Sequence, residues 1–447
     1  MPAGHREFLN AIENGPSLRH HGFGKRNISK QIALSTFLFQ DHLSEYFLPW
    51  EQLGKKAAKL DAGELKDQVK KLPCLDYTRL RSYEEYCLAH SLLSTIAHCY
   101  VWQDRDKGVV PEVLPRAVAV PWYHVSQYLG LNPVYCYMAG MLANWRKESE
   151  DSCDIDIICG APGTPHTDWF FKVSIQIEID FGKGVKDIIK TYQSLETGDD
   201  DGLIEGLQGI ADTIKRMQQT LSRMHEKQDP WPFYNKLRPF FEGWGAQSKF
   251  LPEGLIYEGV SDSPLQYLGG SAAQSSTIQT FDAILGVKHT AEAVPYLRKV
   301  REYMPAGHRE FLNAIENGPS LRHHVKLLHN DGVRKAYNKC IQALTDFRSY
   351  HFAIIVKYIL VQSYKKNGES RYGSEAQGAG GTYLVAFLKS TRDQTARCIL
   401  GDSETDHVTK QADDTVLVGL KMEERPSSPL LHPGTTRIIK AIADPEV

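Results

Sequence analysis

The sequence predicts an all-α, mainly helical protein, and three observations predict it. Apolar residues recur at the i, i+3/i+4 spacing of a helix through 84–103, 202–227 and 333–364. No series of alternating apolar and polar residues marks out a sheet. Proline and glycine gather between the periodic stretches, where they punctuate the chain into loops. The 447 residues are 42% hydrophobic and 24% charged, a globular balance. The length suits two or three domains of ~100–200 residues each.

Taken in order, the first segment stands apart. Residues 1–21, MPAGHREFLNAIENGPSLRHH, recur unchanged at 304–324, with Gly22 after the first copy and Val325 after the second. Solenoid repeats drift and recur at short periods. This pair reads instead as a recent duplication or a mis-joined gene model. One copy can occupy its evolved packing site, so 1–21 is expected to be a disordered tail. Residues 22–45 read as loop with short elements, and 50–71 as a charged helix. Residues 84–103 are a strong helix through Cys87, Leu88, Ser91, Leu92, Thr95, Ile96, Cys99 and Tyr100. Pro111, Pro115, Pro121 and Pro133 leave room for at most one short helix in 108–135.

Residues 135–146 read as a helix, and 148–168, with Pro162 and Pro165, as a loop and candidate domain boundary. Val173, Ile175, Ile177 and Ile179 make 170–190 strand or helix by period alone. Residues 202–227 form an amphipathic helix, with Leu203, Leu207, Ile210, Ile214, Met217 and Leu221 on one stripe. Further helices are expected at 273–285 and 333–364, a polar glycine-rich loop at 364–381, and a disordered tail at 401–447.

Composition narrows the function. Lys+Arg 52 against Asp+Glu 54 leaves a charge of −2, so the basic footprint of a nucleic-acid binder is absent. No uncharged apolar run approaches the ~18 residues of a membrane span, and the charged N-terminus lacks the apolar core of a secretory signal. The eight cysteines form no CxxC and read as free thiols in a reducing compartment, which places the protein in the cytoplasm. HExxH and GxSxG are absent.

Three constellations could carry chemistry. His351 lies on the apolar stripe of the 333–359 helix with Tyr337, Cys340, Ile341, Leu344, Phe347, Ile354 and Tyr358. An imidazole there must bond something, because a buried polar atom without a partner costs ~1–3 kcal/mol. A haem iron fits that position, and so does a core histidine bonded to a neighbour. Residues 233–238, FYNKLR, place aromatics beside Arg238, whose guanidinium can grip a carboxylate through two parallel hydrogen bonds. Gly269-Gly270-Ser271-Ala272 and Gly378-Ala379-Gly380-Gly381-Thr382 are turns that allow close approach to a flat ligand, or ordinary turns; neither has the phosphate-loop pattern.

Together these residues resemble the indoleamine 2,3-dioxygenase family across roughly residues 25–400. The resemblance is carried by PEVLPRAVAVP (111–121), LANWRK (142–147), FFKVS (170–174), FYNKLRPFFEGW (233–244), GLIYEGV (254–260), GGSAAQSS (269–276), FDAILGVKHT (281–290), YMPAGHREFL (303–312), FRSYHFAIIVKYI (347–359) and GGTYLVAFLKSTRD (380–393). YMPAGHREFL marks 304–324 as the native copy of the repeat.

The resemblance implies haem b between a small N-terminal domain (22–118) and a large helical domain (169–400), joined by a linker region at 119–168. It implies insertion of both atoms of O2 across the indole C2–C3 bond of L-tryptophan to give N-formyl-L-kynurenine. That is the first step of the kynurenine route towards NAD, carried out by a cytoplasmic monomer with no nucleic-acid or membrane partner. His351 aligns with the axial ligand, and Arg348 with a proximal arginine paired to an aspartate, here Asp282. Phe170, Gly270, Ser271 and Ala272 also fall at the haem. Ser174, Phe233 and Arg238 align with the catalytic pocket. Tyr137, Phe170, Phe233, Arg238, Ala379, Gly380 and Thr382 align with substrate-binding positions. The chain departs from the family at Gly140, where a cysteine is common, at Ala379 within GAGGT, where the family has GTGGT, and in a short loop at 364–378. An oxygen-binding, myoglobin-like haem protein of the same fold is the competing reading. Ala379 favours it, while Arg238, Phe233 and Ser174 favour the enzyme.

Overall fold

The computed structural model describes residues 42–147, 154–163, 165–367 and 384–401. The repeat copy at 1–21, nearly all of 22–45, the turn with Ala379, Gly380 and Thr382, and the tail from 402 onward lie outside the described residues. Within them the regular structure is overwhelmingly helical. The strands are short: β1 (Val113–Leu114) pairs in parallel with β4 (Ile256–Tyr257), and β2 (Trp145–Lys147) antiparallel with β3 (Ile155–Ile157).

The N-terminal part contains α1 (Leu48–Lys56), α2 (Ala62–Lys71), α3 (Tyr83–Trp102) and α4 (Arg116–Leu129). Helix α3 starts where the Ser82 hydroxyl accepts from the Glu85 amide at 3.2 Å, which satisfies one orphan donor of the first turn. It is buried on nearly every side, so it is a core helix and not the one-striped helix that its sequence suggests. The buried His98 inside it is satisfied at both ring nitrogens. His98 donates from Nδ1 to the Phe240 carbonyl at 2.9 Å and accepts the Tyr135 amide at Nε2, also at 2.9 Å. Burial pushes the pKa of His98 down to about 3, so the ring stays neutral and one tautomer serves both bonds.

Residues 108–135 depart from expectation, because α4 is a full helix despite its prolines. Pro115 sits at the N-cap. Pro121 lies inside and forgoes one helical hydrogen bond, but Val118, Ala119, Trp122 and Val125 are completely buried, and that burial outweighs the loss. Residues 135–146 are not the helix expected. They form a π-helical turn (Met138–Leu142) and then β2. The cause is Asn144, whose side chain brackets the backbone of Cys159, donating to its carbonyl at 2.9 Å and accepting its amide at 2.7 Å. That draws the chain out to pair with β3. Within 119–168, expected as a linker, Trp122, Tyr135, Met141 and Trp145 are thus packed into the first core.

The ambiguous stretch from 170 is helical: α5 runs from His166 to Thr197. Its β-branched residues face two cores at once, which hides the period. Phe171 and Ile175 belong to the first core, with the N-terminal helices and residues 237–257. Val173, Phe181, Val185 and Ile188 belong to the second. Gly198 takes a left-handed conformation, φ 70°, and Asp199 caps α6 (Asp200–Ser222). Helices α5 and α6 pack closely, since a Cβ on Gly184 or Gly206 would collide with Thr213 or Thr191. The second core is completed by α7 (Ser276–Leu285), α9 (Ala306–Asn317), α10 (Leu321–Leu327) and α11 (Asp331–Ile355), with α8 (Val294–Arg301) between α7 and α9 in the chain. A π turn (Val356–Leu360), α12 (Val361–Asn367) and α13 (Leu384–Ala396) follow.

Candidate active site

Helix α11 starts at Asn330, whose side chain accepts the amides of Gly332 and Val333. Tyr337, Cys340, Ile341 and Leu344 are fully buried and fix its rotation. The same face then carries Phe347, Arg348 and, one turn later, His351. His351 is half-buried, and among the described residues no hydrogen bond to its ring is found. Desolvation, assisted by the Arg348 charge, lowers its pKa to about 4. The imidazole is therefore neutral at pH 7, with a lone pair available to a metal.

Beside it Arg348 is buried, with 9% of its side chain exposed, and donates to Asp282 Oδ2 on α7 at 2.8 Å. Its other terminal nitrogen meets the Thr395 hydroxyl and, at 3.4 Å, the Thr391 carbonyl on α13. Burial would raise the Asp282 pKa, but Arg348 and His289 outweigh it and hold the carboxyl below its usual range. The pair expected from sequence is formed.

These positions coincide with a family match. Residues 27–398 match the family profile described as indoleamine 2,3-dioxygenase. The chain belongs to the indoleamine 2,3-dioxygenase family. It is 36% identical over 379 residues to human indoleamine 2,3-dioxygenase 2, covering 81% of this chain and 93% of that protein. To mouse indoleamine 2,3-dioxygenase 1 it is 37% identical over 371 residues, covering 80% and 91%. A myoglobin of the abalone Haliotis madaka is 36% identical over 375 residues, covering 83% and 97%. Haem is the cofactor of indoleamine 2,3-dioxygenases, and the residues here fit it: a neutral imidazole without a hydrogen-bond partner among the described residues, on a helix whose neighbouring cation is tied down.

Other residues expected at an indoleamine 2,3-dioxygenase site come from α5, the 233–238 turn and the 269–272 turn. Phe170 and Ser174 are four apart on α5 and so share a face. Phe170 meets Phe233 edge-on, ring centroids 5.3 Å apart, and Phe233 meets Tyr358 at 5.6 Å. Phe233 lies in a π-helical turn (Phe233–Leu237) that ends at Arg238. The Arg238 guanidinium lies 5.6 Å from the Tyr234 ring. It lines a cavity of about 580 Å3 with Arg105, Glu242 and Tyr303. Burial lowers its pKa, yet a guanidinium remains a cation. The described contacts do not join Arg238 directly to Phe233 or Ser174.

The Gly269–Ala272 turn is built by close backbone approach: a Cβ on Gly269 would strike the Phe241 carbonyl, and one on Gly243 the Tyr267 carbonyl. Two residues missed in the sequence organise it. Gln274 accepts the amides of Tyr137 at 3.0 Å and Ser271 at 3.3 Å, and donates to the Gly269 carbonyl at 2.9 Å. Glu178, buried on α5, accepts from the hydroxyls of Tyr137 at 2.9 Å, Ser275 at 2.6 Å and Thr277 at 2.8 Å. Burial raises its pKa despite these three bonds, and burial keeps Tyr137 well above the ordinary phenol value, so Tyr137 donates. The one available signal was spacing: Glu178 follows Ser174 by four. At Gly140 the room for a side chain is taken, since a Cβ would lie 2.8 Å from Tyr135 Oη.

Proposed function

We propose that this chain binds haem b through His351 and inserts both atoms of O2 across the C2–C3 bond of the L-tryptophan indole. The C2–C3 bond breaks, two carbonyls form, and every atom of both substrates stays in the product, N-formyl-L-kynurenine. No reductant is consumed in the net reaction. The observation that carries this reading is His351, a neutral imidazole without a hydrogen bond among the described residues, beside the Arg348–Asp282 pair. Haem, when bound, supplies the iron at which O2 is activated.

The chain's own residues orient substrate and exclude water. Phe170 and Phe233 present aromatic surface to the indole, and Arg238 holds the substrate carboxylate through a charge-assisted pair. Ser174 and Tyr137 supply the polar groups, with Tyr137 fixed by Glu178 and Gln274. Gly270, Ser271 and Ala272 would hold the haem through their backbone, and the family resemblance assigns Ala379, Gly380 and Thr382 to substrate binding. The reaction opens the kynurenine route towards NAD in the cytoplasm, carried out by a monomer. The small domain spans 22–118 and the large one 169–400, with the described residues between them packed against the small one.

The test is to purify the protein with haem, reduce it, and add L-tryptophan in air. Absorbance from N-formylkynurenine is expected. Reversible oxygen binding without product would establish the second reading, an oxygen carrier. That reading is supported by the abalone myoglobin, as similar to this chain as the human dioxygenase is.

A further inference from the structure

Helix α7 ends at Gly286, φ 65°, where the Val287 amide bonds back to the Asp282 carbonyl at 2.8 Å. The reversal returns His289 to the helix it has just left. Its Nε2 lies 2.8 Å from Asp282 Oδ2, the same oxygen that receives Arg348 at 2.8 Å. The three side chains are 8–9% exposed. Arg348 makes one bond to the carboxylate and spends its other terminal nitrogen on α13. A carboxylate held by one donor can still rotate about its Cβ–Cγ bond; a second donor on the same oxygen stops it. The other oxygen, Oδ1, is buried with no hydrogen bond within the described residues, so Arg348 and His289 together set the orientation.

We propose that His289 is a positioning residue for the haem site. It fixes the Asp282 carboxylate, Asp282 fixes the Arg348 cation, and that cation stands one turn from His351. The charge beside the axial imidazole is thereby held at constant distance. This rests on His351 being the axial ligand.

Three variants test it in the haem-loaded protein: His289→Gln, which keeps a donor, and His289→Leu and His289→Ala, which do not. The readouts are the iron–histidine stretching band of the ferrous protein, the ferric/ferrous midpoint potential, and the rate of haem transfer to an apoglobin acceptor. Residues that orient ligands typically change metal affinity ~10–100-fold, and His289 stands further out, so haem loss should quicken about threefold or more. Leu and Ala should also move the stretch and the potential, and Gln should restore all three. Unchanged stretch and potential in Leu and Ala, or a Gln variant that behaves like them, would overturn the proposal. So would failure of Leu and Ala to fold, since the residue would then serve the fold. His351→Ala separates the underlying reading: if that variant keeps stoichiometric haem and the iron–histidine band, the axial assignment itself is wrong.

Discussion

Replacing Glu178 by alanine removes one carboxylate and strands three donors. The hydroxyls of Tyr137, Ser275 and Thr277 now converge on it at 2.9, 2.6 and 2.8 Å. A buried donor left without an acceptor costs ~1–3 kcal/mol, so three cost about 3–9 kcal/mol. The vacated space can admit a water, and the cost of burying the carboxyl is recovered. Both act against the loss and bring the expected net change to about 2–5 kcal/mol. Glu178→Gln keeps the shape and a carbonyl acceptor, and the hydroxyls can turn to accept from its amide; it should cost about 1 kcal/mol or less. Guanidinium unfolding of the haem-loaded protein, with unchanged slope, measures both. The pH dependence has a definite sign. Burial raises the folded pKa, so the contribution of Glu178 is complete below the ordinary glutamate value of 4.5 and declines as pH rises through the folded value. Wild type should therefore lose stability relative to Glu178→Gln as pH climbs from 4.5 towards neutral. Equal losses in Ala and Gln, or a wild-type advantage that grows with pH, would refute the reasoning.

His351→Ala should yield a folded protein without a Soret band, checked by absorbance and circular dichroism. Arg238→Ala should raise the Michaelis constant for tryptophan by about 10–150-fold, the equivalent of ~1.5–3 kcal/mol for a lost charged hydrogen bond, while carbon monoxide binding persists. Gly140→Ala places a Cβ 2.8 Å from Tyr135 Oη and should cost ~1–3 kcal/mol of overpacking, partly relieved by Tyr135→Phe, as read by melting temperature. Deleting residues 1–21 should leave melting temperature, haem content and turnover unchanged. The twin copy already fills the native position as α9 and the start of α10, with Phe311, Leu312, Ile315 and Leu321 buried.

The helices legible in the sequence are those with a single burial direction. Helix α6 shows its stripe because one face meets α5 and α11 and the other meets water. Helices α3 and α5 defeat the period because α3 is buried all round and α5 serves two cores. Helix α4 was hidden by prolines whose cost tertiary burial offsets. At the site, His351 was legible as a polar residue on an apolar stripe, and Asp282 and Arg348 through resemblance. Gln274, Glu178 and His289 were not, because their roles come from contacts with residues far away in the chain, such as Tyr137, 137 positions from Gln274. The Gly198–Gly202 stretch is a left-handed stop followed by the cap of α6.

The bonds from His98 to the Phe240 carbonyl and from Trp102 to the Glu242 carbonyl span 142 and 140 residues. They bear on how the protein is made. A ribosome adding ~5–20 residues per second needs roughly 7–30 s to deliver the partner of His98. During that time α3 lacks the part of its cover that residues 237–257 supply, since Leu237, Phe240, Trp244 and Leu255 belong to its core. The first half of the chain therefore has to wait for the second. An N-terminal fragment ending before residue 237 should be a client of chaperones and not a folded domain, and the nascent chain should become protease-resistant in one late step instead of two successive ones.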